Sequence, residues 1–188
     1  MNSITSTRFL AALIALTSCF AMAGQNIDRL LIDYPSTFIR DSDSEAVIQS
    51  LPDNSRNLIE SFKAYKATPV DGLSNINIII IQTAPSLSVS RNGYVGPITQ
   101  MKSDPRVSEL THEPVDVEVS GYPAVLVKFK AKFNRELPIA GDILYIYDRS
   151  THTSWTVSVS YAGKNRRFSD FQNLSNKSSR ILESVQVK

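Results

Sequence analysis

The chain has 188 residues, 42% of them hydrophobic and 20% charged, with 20 Lys and Arg against 18 Asp and Glu, 7 Gly, 9 Pro, 1 Cys and 1 Trp. Polytopic membrane, collagen-like, disordered and disulfide-stapled chains each need a composition far from this one, so one globular domain of ordinary size remains. A formal net charge of +2 is too balanced to indicate nucleic acid.

At the N-terminus a single basic residue, Arg8, precedes a charge-free apolar run over residues 9–16, far short of the roughly 20 residues that cross a bilayer. Ala21 and Ala23 bracket Met22 directly before Gly24, which fits the narrow pocket of a signal peptidase. The pattern predicts a signal peptide over residues 1–23, a single domain over 24–188 and a periplasmic or secreted location. A competing reading takes Leu16-Thr17-Ser18-Cys19 as a lipobox, with Cys19 lipidated and the protein anchored to the envelope. The well-formed Ala-x-Ala site, and the bulky Phe20 after Cys19, favour cleavage after Ala23. That cut leaves no Cys, hence no disulfide, thiol nucleophile or thiolate metal site.

The charge is unevenly spread. Residues 24–60 hold three basic and seven acidic side chains, whereas residues 126–188 hold eleven and five. The two ends of the domain attract each other, or the basic end meets an acidic partner or anionic lipid headgroups.

In chain order, residues 30–35 alternate and stop at Pro35, as a short edge strand does. Ser42 and Glu45 form a capping box for a helix running toward Leu51, ended by Pro52. Leu58, Ile59, Phe62 and Tyr65 recur at helical spacing and predict a second amphipathic helix. Residues 76–81 contain four consecutive Ile, which predicts a central strand covered on both faces. Gly93 and Gly96 punctuate a loop in which Pro97 starts a short helix.

Two hairpins follow. Val115, Val117 and Val119 alternate with polar residues, as do Val125, Val127 and Phe129 with Lys128, Lys130 and Lys132. Matching apolar faces sets Val119 opposite Val125, and Asp116 opposite Lys128, around a three-residue loop. In the second hairpin, with its turn over residues 149–153, Ile143, Tyr145 and Tyr147 are expected to share a face with Trp155, Val157, Val159 and Tyr161. Phe168, Phe171, Leu174, Ile181, Leu182 and Val185 predict a closing helix, with a brief final strand over 184–188. The fold class is α+β, a mostly antiparallel sheet sandwiched between helices.

Three passages carry a family resemblance: Ile32-Asp33-Tyr34-Pro35-Ser36-Thr37-Phe38, Ser120-Gly121-Tyr122-Pro123-Ala124 and Ile181-Leu182-Glu183-Ser184-Val185. In these, and in element order, the chain resembles the PsbP-like sandwich family and its bacterial DcrB-like envelope branch. The resemblance implies a non-catalytic binding or assembly module outside the cytoplasm, and it transfers no active-site residue.

Chemical motifs are sparse. The chain has many Ser but no Gly-x-Ser-x-Gly elbow, no Gly-rich phosphate loop, and only two His, His112 before the first hairpin and His152 in the turn of the second. Two His without Cys make a poor zinc set. Asp41, Asp43 and Glu45 alternate as in a calcium loop but lack its Gly, and instead cap a helix. No cofactor is expected. The candidate binding site is a basic strip in which Lys128, Lys130 and Lys132 project from one sheet face, with Arg135 beyond and Lys164, Arg166 and Arg167 before the closing helix. It would dock an envelope or effector protein with an acidic surface; the competing reading is charged protection of a sheet edge. An immunity protein that occludes a toxic effector is one alternative function. A small-ligand carrier, its pocket lined by Tyr145, Tyr147, Trp155 and Tyr161, is another.

Overall fold

The structure, a computed structural model, describes residues 29–33, 38–67, 75–86, 89–163 and 167–188. The expected signal peptide and Cys19 lie outside the described residues. In chain order the elements are β1 (Leu30–Leu31), β2 (Phe38–Arg40), α1 (Ser42–Gln49), the single turn α2 (Asp53–Arg56), β3 (Ile59–Ala67), β4 (Asn75–Thr83), α3 (Val95–Ser103), β5 (Val107–Val119), β6 (Tyr122–Phe133), β7 (Leu137–Asp148), β8 (Thr153–Ala162), α4 (Gln172–Glu183) and β9 (Gln186–Val187). Short 3-10 turns at Arg91–Tyr94 and Phe168–Phe171 lead into α3 and α4.

Seven strands form one antiparallel sheet in the order β2-β3-β4-β8-β7-β6-β5, and β1 pairs separately with β9. Tyr94, Ile98 and Met101, with Ile48 of α1, cover one face over Val125, Val127, Phe129, Ile143 and Tyr145. Phe171, Ile181 and Leu182 of the α4 region cover the other over Ile78, Ile146, Trp155, Val157 and Val159. The sheet therefore lies between helical layers, as the α+β reading requires. The Ile run behaves as its pattern predicts: Ile79 and Ile81 enter the α3 side, Ile76 and Ile78 the α4 side. A strand buried on both faces needs apolar residues at consecutive positions.

Five expectations are corrected. The expected second helix is the strand β3, pairing with β2 and β4; between α1 and β3 only the single turn α2 is helical. Phe62 and Ala64 sit opposite Ile81 and Ile79, while Tyr65 sits opposite Ile78. The demand of the isoleucine strand for a paired neighbour outweighs a weak helical periodicity. The α3 helix begins at Val95, before Pro97, because the 3-10 turn at Arg91–Tyr94 initiates it. His112 lies within β5, which starts as early as Val107.

The fourth correction concerns the first hairpin, whose loop has two residues. Ser120 (φ 52°) and Gly121 (φ 81°) both occupy the left-handed region, the arrangement of a tight two-residue turn. Val119 then faces Tyr122, Val117 faces Ala124 and Glu113 faces Lys128, while Asp116 pairs with Arg91 (Nε to Oδ1, 2.7 Å) instead of Lys128. In the second hairpin, Tyr145 opposes Thr156 and Tyr147 opposes Ser154, whereas Trp155 opposes Ile146 and Val157 opposes Leu144. The tyrosines of β7 and the aromatics of β8 thus face opposite sides of the sheet, which is the fifth correction. The four-residue connection over 149–152 sets this phase, organised by Asp148, whose carboxylate accepts from Ser150 N (2.8 Å), Ser150 Oγ (2.6 Å) and Thr151 Oγ1 (2.8 Å).

Asp41 stands immediately before α1, in keeping with the capping role read for the acidic cluster. Its carboxylate accepts from Ser44 Oγ (2.6 Å) and from Lys66 Nζ on β3 (2.9 Å), and its N–H donates to the Ala64 carbonyl (2.8 Å). Burial pushes the Asp41 carboxyl up, but the Ser44 and Lys66 hydrogen bonds outweigh it and hold the group below its ordinary range. A lowered carboxyl contributes stability above its ordinary pKa and loses it as pH falls through the lowered value. Asp41→Ala is expected to cost about 1 kcal/mol at neutral pH. In urea denaturation the gap to the parent closes in strong acid; a gap independent of pH would contradict this role.

Candidate functional site

The basic strip is built on β6, which is paired on both sides and is not a sheet edge. The edge-protection reading therefore fails for these lysines; β5 is the edge. On that edge Pro114 lacks an N–H and Glu109 adopts φ 55° at an irregularity of the ladder, two features that discourage further strand pairing.

Lys128, Lys130 and Lys132 lie on the α4 side of the sheet. Because α4 packs over β7 and β8, it leaves this part of the face open, and Lys128 and Lys130 are exposed. Lys132 Nζ pairs with Glu109 of β5 at 2.8 Å. Lys128 is flanked in register by Glu113 and Asp142, and Lys130 by the uncharged Thr111 and Ala140. The strip is thus partly neutralised across strands, and among the described residues Lys130 has no ion-pair partner. Arg135 is exposed in the β6–β7 turn at the same end as Lys132. Gly163 donates to the Pro138 carbonyl (3.4 Å), and Pro138 opposes Lys132, so the chain leaving β8 starts at this end too. Arg167 is exposed and its backbone N–H donates to Asp170 Oδ2 (2.8 Å), while Lys164 and Arg166 lie outside the described residues.

Motif reading overlooked a buried acid beside this strip. Asp142 is 2% exposed beneath α4, beside the equally buried Ser178, and its Oδ2 has no hydrogen-bond partner among the described residues. Burial pushes the Asp142 carboxyl above its usual range, opposed only in part by the Ser178 hydroxyl and the Lys128 charge. Burial likewise raises the Tyr161 hydroxyl on β8. An acid inside an otherwise apolar β7 pattern is the sequence signal that could have found it.

The four aromatics of the carrier reading share no pocket. Tyr145 and Tyr147 pack on the α3 side and Trp155 and Tyr161 on the α4 side, all at most 7% exposed. His112 and His152 are both exposed, on β5 and in the β7–β8 turn. Among the described residues no three His, Cys, Asp or Glu side chains are grouped to hold a metal, and no helix is long and apolar enough to cross a membrane.

No family model and no curated protein matches the chain. Among solved structures, LpqN of Mycobacterium tuberculosis, involved in cell envelope biogenesis, is similar over 85% of this chain and 83% of its own, with a TM-score of 0.50 and 12% identity. The chain shares the fold of LpqN. Cyanobacterial PsbP from Synechocystis aligns over 92% of this chain and 99% of its own, at a TM-score of 0.48 and 13% identity. A protein of unknown function from Pseudomonas aeruginosa aligns over 64% and 80%, at 0.43 and 9%. The sandwich implied by the PsbP-like resemblance is the architecture observed.

Proposed function

We propose that this protein is an exported, non-enzymatic interaction domain of the bacterial envelope, docking an acidic surface of a partner protein on the β6 strip. The observation that carries the reading is Lys130, an exposed cation on a strand held rigidly from both sides, with uncharged neighbours in register and Lys128, Lys132 and Arg135 alongside. A cation without an internal partner remains available to a partner's carboxylate, and such contacts steer association more than they stabilise the fold. The envelope role of LpqN, a protein of the same fold, supports the location. So does the Ala-x-Ala site before Gly24.

Photo-crosslinking from position 135 in intact cells tests the reading. The parent is expected to give a discrete adduct that Lys128→Glu with Lys130→Glu reduces at least about fivefold, while stability stays within about 0.5 kcal/mol. An adduct indifferent to the double reversal, or no adduct, refutes the docking role. A mature mass starting elsewhere than Gly24 or a lipidated Cys19 refutes export. If the adduct is a toxic effector, the domain acts as an immunity protein through the same strip.

A further inference from the structure

The α4 side of the sheet is covered unevenly. α4 packs over β7 and β8, and no described helix packs as closely over β5 and β6 on this side. The strip left open carries an apolar pair beside the lysines. Val115 of β5 opposes Leu126 of β6, and the next rows on the same face are Glu113 with Lys128 and Thr111 with Lys130. Val115 is 49% exposed and Leu126 only partly buried, so both forgo burial that the residues under α4 obtain.

The dimensions of the strip suit one helix. Two strands span about 10 Å, close to the diameter of an α-helix. Along β6, Lys130, Lys128 and Leu126 succeed one another at steps of about 6.8 Å, while residues four apart on a helix climb about 6 Å. The long lysine stems absorb the difference. Lys132 takes no part, because it is held by Glu109. Lys130, between the uncharged Thr111 and Ala140, offers the freer cation of the two.

An extended partner fits less well. Pro114 and the Glu109 irregularity oppose a strand added at the β5 edge. An extended segment laid flat on the face would leave its backbone groups unpaired over Val115 and Leu126, whereas a helix satisfies its own.

Resting on the docking role argued above, we propose that the partner's docking segment is an amphipathic helix lying along β6 beside α4. It places carboxylates at i and i+4 on Lys130 and Lys128, and an apolar side chain at i+8 on the Val115–Leu126 pair, in either chain direction.

Photo-crosslinking of the full chain in intact cells, from position 115 and from position 135, tests the proposal. Both positions are expected to give the same adduct. The partner segment joined at 115, mapped by tandem mass spectrometry, should carry two carboxylates four residues apart and an apolar residue four beyond. Val115→Asp should lower the adduct from position 135 at least about fivefold, and the isosteric Val115→Thr, which keeps the β-branched shape, at least about twofold. Changing the partner's acid at i to Lys should restore the adduct to the Lys130→Glu variant. An adduct from 135 but not from 115, a joined segment without this spacing, indifference to both Val115 variants or failure of the charge exchange would each overturn the helix while leaving the docking role in place. The absence of an adduct from both positions would reject the docking role and the helix together.

Discussion

Gly141→Ala is expected to destabilise the domain by about 3 kcal/mol or more, the upper end of what overpacking costs in a well-filled core. Gly141 lies in the middle of β7, between Phe129 of β6 and Ser160 of β8. A methyl group there would overlap the Val159 carbonyl oxygen and sit 2.9 Å from Ser160 Cα and 3.0 Å from the Phe129 ring. Two of these three neighbours are backbone atoms of the adjacent ladder, so relief requires moving β8 away from β7 and breaking pairing in the centre of the sheet. Gly93→Ala makes an informative comparison, since the three atoms nearest the added methyl all belong to the Tyr145 side chain. That ring can pivot at the expense of its stacking on Tyr147, so the cost should be smaller. Thermal denaturation of both variants checks the order; a Gly141→Ala protein as stable as Gly93→Ala would mean that the β7–β8 ladder yields more easily than its pairing implies.

Asp142→Asn is expected to act in the opposite direction and raise stability at neutral pH, by about 1.4 kcal/mol for each pH unit by which burial lifts the carboxyl. Each kcal/mol is worth roughly 2–4 °C in a chain of this size. Asp142 sits beneath α4 with one oxygen unpartnered, and burial raises its carboxyl above the ordinary range. A carboxyl raised in the fold favours native structure while protonated. Its contribution is therefore intact below the ordinary carboxylate pKa and is lost as pH rises through the raised value. The amide never ionises, so the gain should be full near neutrality and vanish in acid. Circular dichroism melts between acid and neutral pH measure the difference. A loss of stability at neutral pH would show instead that Lys128, opposite Asp142 on β6, compensates the buried charge.

Much of the fold was legible from periodicity because burial leaves its mark on each element separately. The run of isoleucines marked a strand covered on two faces, and the alternation on either side of Gly121 marked a hairpin. The segment from Ile59 to Tyr65 was misread because an element half-buried on both faces satisfies a helical spacing as readily as a strand spacing; only its pairing with β4 separates the two. The lysines of the candidate strip were legible as a row on one face, yet their pairing was not. Glu109 reaches Lys132 through the irregularity in β5, which no local pattern announces.

The amino-acid order by itself determined the class of fold, the central position of the isoleucine strand and which side chains share a face within each hairpin strand, because these follow from the two-residue period of extended chain. The relative phase of neighbouring strands was decided only in three dimensions. Left-handed backbone at Ser120 and Gly121 closes the first turn in two residues, and the Asp148 network closes the second in four. A change of one residue in either connection exchanges the two faces of the next strand, so turn geometry, and not hydrophobic content, places the tyrosines of β7 under α3 and Trp155 under α4.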